Sequence, residues 1–384
     1  MIFLHFSDTH LGKTNYKLKE REEDYYNAFE QCVNIAIEKK VDFVIHTGDL
    51  FDQGNPTHKS IINCIRQLSK LKNANIPLFI IAGSHDMSID ETVISILEEI
   101  ELVTNLSNPK YYETNQKILL KGKFYKNVFL CGIAGRQANI KEIFENVEIN
   151  PESVNADYKI FMFHHTISDI STKFMDIPTN LLPKGFDYYA GGHWHTNFKT
   201  KYDTGIIQYS GSTEYTDITD MEIPQKKQAL LINTMTKTIT PMFIKTREII
   251  IEKFDCENMI PKQVTQKCLS LIKNKPYALI IFRPFGRLKE GSKNMVDRQL
   301  IREKAKENNY LHCKVYLTDL LNPQEKKLRL LRHSKNIELD YLKTKGYSQK
   351  EIELAKIIIG TLGTILKKDG LEKATQKIMA EFEK

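Results

Sequence analysis

The first 245 residues are predicted to form a layered α/β domain, on the strength of three observations. Short apolar runs alternate with amphipathic stretches along this segment. Each run is bounded by polar residues, glycine or proline, as buried strands are. Carboxylates and imidazoles stand directly after several of the runs. Strands that alternate with helices are typical of a sheet covered by helices, so a layered domain is expected.

The elements of this domain follow in chain order. Seven apolar runs are predicted strands: residues 2–6, 41–47, 76–82, 127–133, 158–163, 186–190 and 206–210. Helices are predicted over 22–40 and 57–73, because apolar residues recur there at helical spacing. The apolar faces carry Ala28, Phe29, Val33, Ala36 and Ile37 in the first helix and Ile61, Ile65, Leu68 and Leu71 in the second.

A smaller α+β unit is predicted over residues 246–318. Its order is strand 248–254, helix 262–272, strand 277–283, helix 296–307 and strand 312–317. The unit has no cluster of metal-ligating residue types, so it is expected to be an accessory cap domain. A linker over 319–347 and a basic helical tail over 348–384 follow, and a capping box of Ser348 and Glu351 begins the tail.

Composition narrows the classes of function. The 384 residues carry a formal net charge of +7, which permits a polyanionic partner without requiring one. The six cysteines form no CxxC pair, so neither a zinc knuckle nor a disulfide framework is indicated. A reducing cytoplasm is therefore expected. No apolar stretch approaches the length of a membrane span, and no membrane role is expected.

The polar residues that end the strands predict a metal centre. They are Asp8 and His10, Asp49 and Asp52, Ser84 to Asp86, His164 and His165, and His193 and His195. In open α/β sheets, ligands bind at the carboxyl ends of the strands. Oxygen and imidazole donors without thiolate suit Mn²⁺, Fe or Zn²⁺. Asp49 is the best candidate to bridge two ions, since a carboxylate has two oxygens.

Each block has a simpler interpretation when taken alone. A single Asp-x-His is usually a surface turn, and a single His-x-His is more often structural. Five blocks in succession favour the chemical interpretation. His5 and His46 lie inside apolar runs and are expected to be buried, hydrogen-bonded core residues. His165 is expected to be structural or to support the ligands, and Trp194 to pack beside the site.

The order DxH, GDxxD, GxHD, HH and GHxH resembles the calcineurin-like metallophosphoesterase superfamily over roughly residues 1–240. Finer details resemble the family of the meiotic recombination eleven nuclease, called SbcD in bacteria. They are SDTHLG near the amino terminus, REED at 21–24, GDLFD at 48–52, YYAGGHWH at 188–195 and YSGSTE at 209–214. The resemblance implies a layered β-sandwich flanked by helices, followed by a cap domain and a helical tail.

The resemblance also implies roles for single residues. One ion would be held by Asp8, His10, Asp49 and His195, and the other by Asp49, Ser84, His164 and His193. Mn²⁺ is the expected metal, and the two ions would clamp the attacking and leaving oxygens of a phosphodiester. His85 would be catalytic: it would face the scissile phosphate and stabilise charge or protonate the leaving oxygen.

The activity implied is that of a DNA repair nuclease, a 3′–5′ double-strand exonuclease and single-strand endonuclease acting at double-strand breaks. A homodimer is implied, working in the cytoplasm at the nucleoid. Residues 348–382 would bind an SMC-like ABC ATPase of the Rad fifty or SbcC type.

Three departures from the family pattern stand out, and the first keeps alternatives open. The usual GNHD reads GSHD here, so Ser84 offers a hydroxyl in place of an amide carbonyl. Position 52, often His in close relatives, is Asp52, and position 165, often Gln, is His165. A small-molecule phosphodiesterase or phosphatase of the same superfamily would share the metal site. A weakly catalytic DNA-binding scaffold would follow if Ser84 marks a decayed site.

Overall fold

The computed structural model describes residues 1–87, 92–107, 118–119, 122–135, 139–148 and 154–325, together with residues 348, 349, 351–353 and 355. The predicted ATPase-binding tail therefore lies almost wholly outside the described residues, as does the linker beyond Glu325. The capping box that begins the tail is present. The Ser348 N–H donates to the Glu351 carboxylate at 2.6 Å, and the Glu351 N–H donates to Ser348 Oγ at 3.4 Å.

The chain divides into two compact units. The first comprises Met1–Ile251 with 275–280 and 309–312, and the second comprises 252–274, 281–308 and the residues from 313 onward. The strands are β1 (Ile2–Phe6), β2 (Phe43–His46), β3 (Leu78–Ile80), β4 (Thr104–Asn105), β5 (Ile118–Leu119), β6 (Lys123–Tyr125), β7 (Val128–Ile133), β8 (Val147–Glu148), β9 (Tyr158–His164), β10 (Tyr188–Gly192), β11 (Phe198–Tyr202), β12 (Gly205–Tyr209), β13 (Gln228–Asn233), β14 (Thr238–Phe243), β15 (Ile249–Asp255), β16 (Leu279–Arg287), β17 (His312–Val315) and β18 (Leu320–Leu321). The α-helices are α1 (Lys19–Glu38), α2 (His58–Asn73), α3 (Val93–Glu99), α4 (Ile140–Asn146), α5 (Ile218–Glu222), α6 (Pro261–Leu271) and α7 (Arg298–Glu307).

Two six-stranded sheets form the first unit, in the orders β14-β13-β1-β2-β3-β4 and β11-β12-β10-β9-β7-β6. Residues from the facing sides of both sheets share one buried core: Phe3, Phe43, Ile45 and Phe79 come from the first sheet, and Leu130, Ile160, Met162 and Tyr188 from the second. Alternate residues point the other way, as strand geometry requires. Leu4 and Phe6 pack with α1 and α2, and Phe161 and Phe163 pack with α4. The predicted β-sandwich flanked by helices is confirmed.

All seven predicted strands of this unit are present. The unit also contains elements outside the prediction, among them β11, the β13–β14 hairpin and the short helices α3 and α4. β11 and β14 lie at the outer edges of their sheets and expose several side chains. An edge strand needs no continuous apolar run, so its sequence gives a weak signal. β13 is largely buried and apolar, and its omission was an error of interpretation.

Two residues of the REED segment at 21–24 fix α1 near the strand ends. The side chain of Arg21 is fully buried and pairs with Asp24 at 2.6 Å and Glu214 at 3.2 Å. Arg21 also donates to the Tyr215 carbonyl at 3.0 Å, and Asp24 accepts two hydrogen bonds of 2.7 Å from Arg247. Removal of one partner from a buried ion pair typically costs about 3–5 kcal/mol. This network therefore holds the loop that begins at Ser212 against α1.

The second unit contains α6, α7 and most of a small sheet of order β15-β16-β17, in which β18 pairs with β16. The strands and helices predicted for residues 246–318 lie within a few residues of their predicted positions. Asp297 caps α7 by accepting from the Leu300 N–H at 2.9 Å. Among the helices of the described ranges, none combines the length and the apolar character that a membrane crossing needs.

Candidate metal centre

The predicted site residues lie where parallel strands end together. β1 pairs in parallel with β2, and β2 with β3. In the second sheet β9 pairs in parallel with β10. His164 is the last residue of β9, and the other predicted ligands lie in the loops that directly follow β1, β2, β3 and β10. Because parallel strands present their carboxyl ends at one edge, the five blocks meet there.

Two glycines let these strand ends approach each other closely. A Cβ atom at Gly83 would lie 2.2 Å from the Asp49 amide nitrogen and from its Oδ1. A Cβ atom at Gly192 would lie 2.1 Å from the Thr47 carbonyl oxygen. Neighbouring residues therefore occupy the space that a side chain would need at either position.

Four of the predicted ligands have left-handed backbone conformations. The φ angles are 53° at Asp8, 43° at His10, 55° at Asp49 and 79° at His193. Residues other than glycine rarely adopt this region. Such strain costs on the order of 1–3 kcal/mol per residue and persists where the surrounding structure enforces it, as it does at functional sites.

Two groups of potential ligand atoms result. In each, one donor atom per residue lies within 4.8 Å of the others, and the groups are Asp8, His10 and His195, and Asp49, His164 and His193. In the first group the Nε2 atoms of His10 and His195 are 3.2 Å apart. The Nε2 of His195 is 3.9 Å from Asp8 Oδ1. Two imidazole nitrogens that converge beside a carboxylate are arranged as ligands of one ion.

Asp49 lies between the two groups and faces both with a single oxygen. Its Oδ1 accepts a hydrogen bond of 2.8 Å from the backbone N–H of His85. Its Oδ2 lies 3.2 Å from His164 Nε2 and 3.9 Å from His10 Nε2. The predicted bridging role of Asp49 rests on the two oxygens of a carboxylate. In the structure Oδ2 alone faces both groups, and Oδ1 anchors the loop that carries His85.

The electrostatics of the centre favour positive charge. The Nδ1–H of His164 donates to the Thr47 carbonyl at 2.7 Å, which turns Nε2 toward the carboxylates. That buried Nε2 atom makes no hydrogen bond of normal geometry. Burial lowers the pKa of His164, but Asp49 and Asp8 outweigh it and raise this pKa to about 10. Burial also raises the pKa of Asp8.

These residues fit a pair of divalent metal ions. Two buried carboxylates and four imidazoles supply only oxygen and nitrogen donors, which suit first-row divalent metals. The inward-facing Nε2 of His164 has the orientation that a metal ligand needs, with its other nitrogen fixed by a carbonyl. All the groups of potential ligands found among the described residues lie in the first unit.

His195 is held by residues that the sequence analysis missed. Its Nδ1 lies 2.6 Å from Thr216 Oγ1, and the Asp220 carboxylate is 3.4 Å from that hydroxyl. The buried Lys227 ammonium donates to Asp220 at 2.5 Å and to the His195 carbonyl at 3.0 Å. Because a carboxylate only accepts, the Thr216 hydroxyl donates to Asp220 and accepts from His195 Nδ1–H. This arrangement keeps the Nε2 of His195 unprotonated and available to a metal.

Asp86 is a second positioning residue without a predicted role. Its buried carboxylate accepts from the N–H groups of Leu50, Phe51 and Gly83 at 3.1, 2.9 and 2.8 Å. Burial and the charge of Asp49 raise the pKa of Asp86 to about 6, although the three N–H groups oppose the shift. Asp86 thus joins the loop after β2 to the loop after β3. Asp86 is the last residue of the GxHD motif, and that motif is the feature of the sequence that pointed to it.

His85 and Ser84 occupy the loop after β3. His85 is exposed, and its Nδ1–H donates to the Asp52 carbonyl at 2.7 Å, so Nε2 is the remaining polar atom of the ring. His10, Asp52 and His85 form a further group of possible ligands. Lys13 pairs with the Asp52 carboxylate at 2.8 Å and neutralises it, and Asp52 Oδ1 lies 3.5 Å from His10 Nδ1, so Asp52 supports both His10 and His85. Ser84 is half-buried beside His85.

His5, His46 and His165 are buried, as the sequence predicts. His5 is buried between the Tyr188 hydroxyl at 2.8 Å and the Thr47 hydroxyl at 3.1 Å. His46 is buried beside the Thr9 hydroxyl at 3.2 Å. Burial lowers the pKa of each to about 3, which keeps both neutral. His165 is buried against the edge of Phe144, and Trp194 packs on the core of the second sheet.

Comparison with known proteins identifies the family. The family described as calcineurin-like phosphoesterase matches residues 1–197. A protein named DNA double-strand break repair protein Mre11, from Sulfolobus acidocaldarius, is 31% identical over an aligned length of 402 residues. The alignment covers 100% of this chain and 98% of that protein. The protein of the same name from Sulfurisphaera tokodaii is 32% identical over 85% of this chain and 83% of its own length.

The chain therefore belongs to the calcineurin-like phosphoesterase family and, within it, to the Mre11 family. The resemblance drawn from the motifs is confirmed. Family membership and the clusters of potential ligands together identify a metal-dependent phosphodiesterase.

Thr216→Val should weaken metal binding by about 10- to 100-fold, because the His195 ring loses the hydrogen bond that fixes its tautomer. Titration calorimetry with Mn²⁺ measures the change. Thr213→Val is the matched control: Thr213 is buried in the same loop, and its hydroxyl makes no hydrogen bond. Equal Mn²⁺ affinities for the two variants would show that Thr216 does not position His195.

Proposed function

We propose that this member of the Mre11 family is a Mn²⁺-dependent DNA nuclease that acts at double-strand breaks, as a 3′–5′ exonuclease on duplex ends and an endonuclease on single strands. The observation that carries the proposal is the pair of ligand groups that Asp49 Oδ2 faces on two sides, beside the exposed imidazole of His85. Relatives that match most of the chain bear the name of a DNA double-strand break repair protein.

The residues have the following proposed roles. One ion is held by Asp8, His10, Asp49 and His195, and the other by Asp49, Ser84, His164 and His193. When bound, two divalent ions activate water and stabilise the charge that develops on the phosphate. The chain supplies a fixed set of donors, because Thr47 orients His164, Thr216 orients His195 and the His85 N–H orients Asp49.

His85 is proposed to act on the substrate. The ring is exposed, and its centroid lies 5.0 Å from that of His10, which places it next to the ligands. With Nδ1–H committed to the Asp52 carbonyl, Nε2 is the atom that can hold a proton for the leaving oxygen. Position 52 supplies this contact through its backbone, so Asp52 in place of the usual His does not remove it.

His85→Ser should lower the rate of DNA cleavage by about 10²- to 10⁴-fold, the range expected when a general acid is lost. Mn²⁺ and DNA affinities should persist. The measurement pairs hydrolysis of linear duplex DNA with hydrolysis of bis(p-nitrophenyl) phosphate, both in Mn²⁺. A wild-type protein that hydrolyses only the small diester would favour the alternative small-molecule phosphodiesterase. Loss of an ion together with the imidazole would reassign His85 to metal binding.

Ser84→Asn should raise cleavage at limiting Mn²⁺, because a carbonyl oxygen reaches farther than the serine hydroxyl toward the second ion. The apparent Mn²⁺ requirement of DNA cleavage is the measurement, and saturating Mn²⁺ should reduce the difference between the two proteins. Identical Mn²⁺ dependence would show that serine, or a water in its place, serves equally well. A wild type that binds DNA without cleaving it at any Mn²⁺ level would favour the scaffold alternative.

The proposed partners are DNA, a second copy of the chain and an SMC-like ABC ATPase of the Rad fifty or SbcC type. Residues 348–382 would bind the ATPase, and their amphipathic pattern carries this part of the proposal.

α2 exposes Ile62 while it buries Leu68, so Ile62 is available to a dimer partner. Sedimentation of the full chain measures its oligomeric mass. A nuclease of chromosomal breaks would work in the cytoplasm at the nucleoid.

Deletion of 330–384 should leave a folded chain that still cleaves bis(p-nitrophenyl) phosphate in Mn²⁺ but no longer binds the ATPase in a pull-down. The reason is that the tail's apolar stripe then serves another protein and not the nuclease core. If the tail instead belongs to the chain's own core, the truncated protein should melt at a markedly lower temperature and lose activity, and retained ATPase binding would refute the docking role.

A further inference from the structure

A loop beside the metal centre carries two adjacent exposed apolar side chains. It spans residues 168–176 and begins four residues after His164. Phe174 is 64% exposed and Met175 is 43% exposed. Single apolar residues are common on protein surfaces, whereas contiguous apolar patches of larger area mark binding sites, and these two neighbours form a small patch. The residue before them is Lys173, whose ammonium lies 4.7 Å from the centroid of the Phe174 ring.

The base of this loop is firmly held. Ile167 and Ile177 form a parallel bridge across it. The Asp176 N–H donates to the Thr166 carbonyl at 2.8 Å, and the Asp176 carboxylate accepts from the Thr166 N–H at 2.7 Å. The Phe174 N–H donates to Ser171 Oγ at 3.1 Å, which ties the tip to the loop itself. The loop that carries the Phe174 ring is therefore held in place at its base.

The loop also lies close to the ligands. Asp176 Oδ2 is 3.8 Å from His193 Nε2. Phe174 precedes Asp176 by two residues, a span of at most roughly 7 Å along the chain. A phosphate held at the metal centre would thus place the base of an adjoining nucleotide within reach of the ring. Aromatic rings that stack on bases beside cationic groups are the usual means of holding single-stranded nucleic acid.

We propose that Phe174 stacks on an unpaired base of the nucleotide next to the scissile phosphate, with Lys173 against the nucleic acid backbone. This inference rests on the proposed nuclease function and specifies its substrate: strands whose terminal bases are unpaired bind better than strands whose bases remain paired. Because every base has a flat face, the contact is tolerant of sequence.

The test compares Phe174→Ala with wild type on short single-stranded oligonucleotides with Mn²⁺ present. Loss of one stacking contact should weaken binding by on the order of tenfold. Quenching of a 2-aminopurine base placed beside the bound phosphate should fall with it. Phe174→Tyr should restore both. Phe124→Ala is the control, since Phe124 is similarly exposed, at 57%, on β6, the outermost strand of the same sheet.

An abasic oligonucleotide separates stacking from a structural effect. Phe174→Ala should not change its affinity, because it has no base at the contact. Equal weakening of abasic and normal strands would overturn the proposal, as would a variant that matches wild type on normal strands. A wild type that neither binds nor cleaves DNA would instead contradict the proposed function, so the two failures are distinguishable.

Discussion

The buried carboxylate of Asp49 is the constraint on which the rest of the site depends. One oxygen receives the His85 N–H and the other faces imidazoles from both sheets of the sandwich. An anion in such a place is costly unless positive charge and hydrogen-bond donors surround it. The neighbours of Asp49 supply donors, and the charge of Asp49 is what raises the pKa of His164 despite burial. The arrangement that stabilises the buried charge of Asp49 is therefore also the arrangement that allows the site to hold cations.

The fold maintains this arrangement at a local energetic cost. Four of the predicted ligands have left-handed backbone conformations, which are strained for residues other than glycine: Asp8, His10, Asp49 and His193. Compensation comes from hydrogen-bonded supports around them. Asp86 joins two loops through three backbone N–H groups, and Lys227, Asp220 and Thr216 form a connected chain to His195. Buried hydrogen bonds of this kind position their members firmly, because they are stronger in a low dielectric than in water.

The departures from the family pattern at positions 52 and 84 have different structural consequences. Asp52 keeps the contact with His85, since the backbone carbonyl makes it, and its carboxylate is neutralised by Lys13. At position 84 the side chain itself differs from the usual Asn, since serine offers a hydroxyl where the amide offers a carbonyl oxygen. The change at 52 therefore leaves the contact with His85 in place, whereas the change at 84 replaces the polar group of the side chain.

The sequence alone determined the predicted strands and the alternation of side chains that lets two sheets pack face to face. It also determined the placement of Asp8, Asp49, His164 and His193 at one edge. These features follow from local patterns: a period of two along a strand, and polar residues directly after it. Tertiary structure decided which Asp49 oxygen is shared and which nitrogen of His164 faces inward. It also decided that Thr216, Asp220 and Lys227 support His195. Those contacts join residues that no periodicity relates, and they exist only because two sheets and the loops between them pack to a common edge. Hydrogen bonds depend on distance and direction in space, which the order of residues along a chain does not specify.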